Sequence, residues 1–131
     1  MARPYIPERN DIVWLDFEPK KGREVGKYRP ALVLSSRAYN KQTGLMICCP
    51  ISTSIRHSAT EVPIENLEQP CVVVTNLIHT VDWRERKVKL AARAEPGVIT
   101  EVLLRIVPLI GADAVIAAII EKENESGLGQ E

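Results

Sequence analysis

A chain of 131 residues fits one domain and can bury a core without disulfide or metal support. Hydrophobic residues make up 45%, which excludes a disordered chain, while aromatics are 5%, so the core must be mainly Val, Ile, Leu and Ala. Lys+Arg and Asp+Glu both number 17, which excludes a globally basic nucleic-acid binder and leaves only local charge patches to steer a polyanion, within a Debye length of about 10 Å.

The first ten residues, with Pro4 and Pro7, read as an extended arm. Asp11 to Phe17 (DIVWLDF) is β-branched and aromatic and predicts a strand. Residues 18–29 (EPKKGREVGKYR) are polar and long for a hairpin, and such loops in small domains are often functional. Ala31 to Ser35 predicts a short strand, with Pro30 at its start because proline has no ladder donor. Asn40 to Gly44 predicts a turn, and Leu45 to Cys49 a strand closed by Pro50.

Residues 52–60 (STSIRHSAT) form a second polar loop. Glu61 to Ile64 is short and β-like. Cys71 to Ile78 is apolar nearly throughout and predicts a central strand, and Lys87 to Ala94 a last one. The period then changes. Val98, Val102, Leu103, Ile106, Leu109 and Ile110 recur at spacings of three and four, an amphipathic helix with Pro108 in its last turn and Gly111 as its stop. Asp113 caps a second helical piece through Ile120, and residues 122–131 read as frayed. Strands followed by a helix predict a mainly β fold, a small barrel or strongly curved sheet with a C-terminal α-helix.

The three cysteines, Cys48, Cys49 and Cys71, form no C-x-x-C pair, and the two histidines lack a matching ligand set. No metal site and no disulfide are expected. The chain opens without an apolar signal region, and no run reaches the roughly 18 apolar residues of a membrane span. A soluble, cytoplasmic protein without a membrane partner is the expectation.

Several side chains could carry chemistry. Lys20, Lys21, Arg23 and Lys27 crowd the first loop and could meet phosphates; a solvated charged hairpin is the plain alternative. Arg29 is rooted beside Pro30 and an apolar strand, so its planar fork could clamp a phosphate or stabilise developing negative charge; pairing with Glu24 is the alternative. Ser52 and Thr53 could hydrogen-bond a phosphate or simply satisfy their own turn. Arg56 and His57 lie in the second polar loop, and His57 or His79 could move protons near neutral pH. Asp82, Trp83, Arg84 and Arg86 mix an aromatic with cations, which suits base stacking with phosphate contact and equally a turn with ion pairs.

Taken together, DIVWLDFEPKKGREVGKYRPALVLS (11–35), AYN with TG soon after (38–44), CPIST (49–53) and VDWRERKVK (81–89) resemble the MazF/PemK family of toxins. The likeness continues to about Gly111, which divides the chain into a domain at 1–111 and a C-terminal extension at 112–131. The resemblance implies an SH3-like β-barrel of the CcdB/PemK type, working as a homodimer. It implies the toxin of a type II toxin–antitoxin system, a metal-independent endoribonuclease without cofactor. Single-stranded RNA, in this family a messenger RNA, would be cut through the ribose 2′-hydroxyl to 2′,3′-cyclic phosphate and 5′-hydroxyl ends. A MazE-like antitoxin would cover the RNA groove with an acidic segment.

By position, Arg29 matches the family's catalytic arginine, Ser52 stands where a catalytic threonine is usual, and Glu24 matches an acidic loop residue that supports activity. One departure concerns Asn76, Leu77, Ile78 and His79, which replace a common Asp-Gln-Val run. Asn76 cannot do the acid–base work given to that aspartate in the PemK branch, and with His79 it becomes a candidate RNA contact. The competing readings are a non-catalytic RNA-binding relative and a CcdB-like gyrase-inhibiting toxin.

Overall fold

A computed structural model of the chain describes residues 4–17 and 28–128. Among them lie strands β1 (Asp11–Asp16), β2 (Tyr28–Val33), β3 (Leu45–Ser52), β4 (Glu61–Ile64), β5 (Cys71–Val74), β6 (His79–Asp82) and β7 (Lys89–Arg93), and helices α1 (Arg37–Thr43), α2 (Val98–Leu109) and α3 (Ala112–Leu128). Every pairing is antiparallel, in the order β4-β5-β3-β2-β1-β7, and β6 pairs with β3.

The curl of the sheet follows from β3. Cys48 pairs with Val33 of β2 on one edge and with His79 of β6 on the other. Further along, Ile51 and Ser52 pair with Val73 and Val72 of β5. One strand therefore carries three neighbours, and the sheet bends around it.

Both faces are covered over most of β1 to β3, whose exposed positions are Trp14, Asp16 and Tyr28. Ile12, Leu32, Cys49, Ile51, Val62 and Val73 pack with Val98, Val102 and Ile106 of α2. On the opposite face Val13, Leu15, Phe17, Ala31, Val33, Met46, Cys48, Val81 and Trp83 pack beneath Tyr5 and Ile6 of the N-terminal arm. Buried Asp11 pins that arm: its carboxylate accepts from the Tyr5 hydroxyl, from the Glu8 amide at 3.1 Å and from Arg93 Nε at 3.2 Å.

Several expectations need correction. Residues 40–44 do not form a simple turn; α1 occupies Arg37–Thr43, with the Ser36 hydroxyl accepting from the Tyr39 amide at 3.2 Å and Gly44 closing it at φ 74°. Seven residues are too few for an amphipathic period to show. β2 begins at Tyr28, and Pro30 lies within it rather than at its start. β3 runs through Pro50 to Ser52. The stretch 71–78 breaks after Val74, and residues 79–82 form β6. The helix α3 reaches Leu128 instead of fraying at 122, and Asp113 sits in its first turn rather than capping it.

Candidate functional site

Two candidates lie just beyond the point where β2 and β3 part. Their ladder pairs Val33 with Cys48, Leu32 with Cys49 and Ala31 with Pro50, and ends there. Arg29 lies two residues beyond that last pair on β2 and Ser52 two residues beyond it on β3, where Ser52 pairs instead with Val72 of β5. Arg29 pairs with Leu15 of β1. Both Arg29 and Ser52 are half-buried. The Ser52 hydroxyl accepts from the Ser54 amide at 3.0 Å, which is the self-satisfied turn expected of a strand-end serine, and its own hydrogen is left to donate.

The other candidates divide by location. Lys20, Lys21, Arg23, Glu24 and Lys27 lie outside the described residues. Ser52, Arg56 and Asn76 line one depression of about 430 Å³ with Ser54 and Leu77. Arg29 and Thr53 line another of about 300 Å³. No single depression among those described holds both Arg29 and Ser52: Arg29 lines the hollow that Ile51 and Thr53 share, and Ser52 the one with Arg56 and Asn76. His57 is exposed, with φ 58°, beside an Arg56 amide that donates to both Glu61 carboxylate oxygens at 3.1 and 3.2 Å.

His79 is half-buried, opposite Cys48, with its ring edge-on to Phe17 at 5.1 Å. Trp83 is no stacking platform: it is 7% exposed, and its indole Nε1 donates to the Asn40 carbonyl at 2.8 Å. Of the two readings of DWRER, the structure selects the turn. The Asp82 carboxylate accepts from the amides of Arg84 and Glu85 at 3.0 and 2.9 Å. Arg84 lies over the Trp83 ring, 5.0 Å from its centroid, and donates to the Lys41 carbonyl at 3.3 Å, at the opposite end of β3 from Ser52. Arg86 donates to the Asp16 carbonyl at 2.6 Å and so reaches the end of β1, next to β2.

Sequence reasoning missed the exposed aromatic pair. Trp14 and Tyr28 stack with ring centroids 5.4 Å apart and planes 8° from parallel. They are 39% and 58% exposed and line the same cleft as Arg29 and Thr53. The signal was available: Trp14 takes an outward position in an alternating strand, and Tyr28 directly precedes Arg29.

The thiols are structural. Burial pushes Cys48 and Cys49 up to about 12 and raises Cys71 as well. Among the described residues no group of three or more His, Cys, Asp or Glu side chains is placed to hold a metal ion. No single helix there is long and apolar enough to cross a membrane, although α2 and α3 together, bent by 88°, pass on length and composition.

A curled antiparallel sheet closed by C-terminal helices defines a small, mainly β fold class, and comparison with known proteins narrows it. Residues 8–110 match the model of the PemK-like, MazF-like toxins of type II toxin–antitoxin systems. The chain belongs to that family. It is 32% identical over 111 residues to the endoribonuclease toxin MazF of Escherichia coli K12, covering 85% of this chain and all of that one. It is 37% identical over 105 residues to the endoribonuclease toxin ChpB of the same strain, covering 76% and 90%. Among solved structures, MazF of Deinococcus radiodurans superposes with a TM-score of 0.78 at 38% identity, covering 82% of this chain and 99% of that one. The MazE–MazF complex of that organism gives 0.72 at 35%, covering 82% and 98%.

Proposed function

We propose that this toxin of a type II toxin–antitoxin system is an endoribonuclease that cuts single-stranded messenger RNA at short sequences, without a metal ion. The observation that carries the reading is the match of residues 8–110 to the toxin family, in a chain whose curated relatives are named endoribonucleases. RNA supplies its own nucleophile. The 2′-oxygen attacks the adjacent phosphorus, its proton passes to a base, and the P–O5′ bond breaks. The departing 5′-oxygen takes a proton and leaves as a hydroxyl, while the other fragment keeps a 2′,3′-cyclic phosphate.

Arg29 holds the phosphate and stabilises the extra negative charge of the transition state. Ser52, whose oxygen already accepts from the Ser54 amide, donates its own hydrogen as a hydrogen bond or proton to the reacting phosphate. Glu24 serves as base or orients Arg29. Arg56, Asn76 and Arg86, with the cations of 20–27, bind flanking phosphates. His57, Thr53 and His79 complete the RNA-contacting set, and Arg84 meets only RNA that runs to the far end of β3. The active form is a homodimer with its groove at the subunit boundary, and a MazE-like antitoxin lays an acidic segment into that groove. The site of action is the cytoplasm, where its substrate lies.

Arg29→Ala and Ser52→Ala test the reading. The first should cut long RNA about 10²–10³-fold more slowly, by loss of one charge stabiliser. The second should cut about 10²-fold more slowly, by loss of one proton-transfer group. Full activity in Arg29→Ala, with a native far-ultraviolet spectrum, contradicts the mechanism.

A further inference from the structure

We propose that the cleft beside the Trp14–Tyr28 pair is a nucleobase subsite, which seats a base next to the cut and helps choose it. The inference rests on the endoribonuclease reading and names how its substrate is read. Stacked rings open to solvent are unusual in a chain with only 5% aromatics, most of whose large apolar side chains in the sheet are buried. Two geometric causes place them there. Trp14 pairs with Pro30 across β1 and β2, and Tyr28 lies two residues along β2 on the same face. Pro30 has no amide hydrogen, and the β2–β3 ladder stops at Ala31–Pro50, so the strands part beyond it.

The parting opens the cleft of about 300 Å³, between Arg29 and Pro30 on one lip and Ile51 and Thr53 on the other, with Leu67 and Gln69 closing its far side. That is the lower end of the range for small-ligand pockets and suits one planar ring. The chemistry fits a base rather than a phosphate. An indole and a phenol offer a π-face for stacking. The Gln69 amide carries donors and an acceptor, and the Thr53 hydroxyl either, so the two can read hydrogen-bonding edges. Arg29 stands on the rim, where the adjoining phosphate would lie. Trp14 and Tyr28 are therefore the stacking platform, and Gln69 with Thr53 the selectors.

The test separates stacking from phosphate binding and from subunit contact. The chain has two tryptophans, and Trp83 is buried, so the difference between wild type and Trp14→Phe reports Trp14 emission. The probes are 12-residue oligodeoxynucleotides of each base, which lack the 2′-hydroxyl and cannot be cut, and an abasic strand with the same phosphates. Base-bearing strands should quench Trp14, the abasic strand should not, and Tyr28→Leu should weaken binding about tenfold or more. On long RNA, Tyr28→Leu should raise KM more than it lowers kcat, and Gln69→Ala should change the sequence at the mapped cut sites. Equal quenching by the abasic strand, no quenching by any strand, or unchanged KM and cut sites in both variants overturns the subsite. So does dissociation of the native oligomer by Tyr28→Leu in light scattering, which would make the pair a subunit contact. A wild-type protein that leaves RNA intact overturns the nuclease reading instead, and the quenching result then stands by itself.

Discussion

Asn40 shows how far one buried polar residue can organise this fold. It is fully buried, and its side-chain amide donates to the Pro7 carbonyl at 2.8 Å and to the Ser35 carbonyl at 3.3 Å, while its Oδ1 accepts from the Ser35 hydroxyl at 2.5 Å. Its backbone carbonyl accepts from the Gly44 amide at 2.9 Å and from Trp83. The N-terminal arm, α1 and the turn after β6 thus meet at one position. Asn40→Ala strands several buried partners at about 1–3 kcal/mol each and should lower unfolding stability by about 3 kcal/mol in urea melts. A loss under about 0.5 kcal/mol would show that the network carries no stability. The residues of α1 resemble the family as AYN and TG, yet nothing in the sequence pattern announces the hub. It exists only when residues more than 30 positions apart in the chain converge.

The thiols give a second prediction at this scale. Cys48 and Cys49 are raised in the folded chain to about 12, whereas a model thiol titrates near 9. Between those values the unfolded chain has lost protons that the folded chain keeps, so stability present below pH 9 should fall as pH rises from about 9 to 12. Native protein at pH 8 should resist a thiol reagent until denatured, when all three cysteines react. Rapid labelling of native Cys48 or Cys49 would contradict their burial.

Among elements, β1 and α2 are legible because their periods are long enough to count. DIVWLD alternates at its exposed end, and Val98, Val102 and Ile106, all buried, follow the helical spacing. The break between β5 and β6 is not legible. The apolar run from Cys71 to Ile78 reads as one strand, whereas a turn in which the Leu77 amide donates to the Val74 carbonyl at 3.2 Å ends β5. In the candidate site, Arg29 and Ser52 are singled out through the family likeness, and the β2–β3 ladder ends two residues short of each. Trp14 was missed, because a tryptophan in an apolar strand is readily taken for core although its alternating position points outward.

Helix α3 lies beyond the span matched by the family, which ends at 110. Val115, Ile116, Ile119 and Ile120 are 47–60% exposed. We propose the division at Gly111 as functional: a chain ending there should fold, melt within a few degrees of full length and cut RNA at a similar rate. Loss of folding or activity would make α3 part of the domain. The melting curve and a cleavage time course check it.

At the scale of the whole molecule, a zero net charge is compatible with RNA binding because only the local field matters within about a Debye length. Arg29, Arg56 and Arg86 are spread around the ends of β1, β2 and β3, whereas Asp113, Glu121, Glu123 and Glu125 lie on α3. The fold supplies the rest: a sheet whose central strands are largely covered on both faces, with the proposed reactive groups just beyond the point where two strands separate. The most direct test of the central claim is the chemistry of the ends formed when purified protein meets long single-stranded RNA in excess EDTA. The account predicts fragments with 2′,3′-cyclic phosphate on one side and 5′-hydroxyl on the other, at a rate that EDTA does not change. Fragments with 5′-phosphate ends, or cleavage abolished by EDTA and restored by a divalent cation, would contradict it.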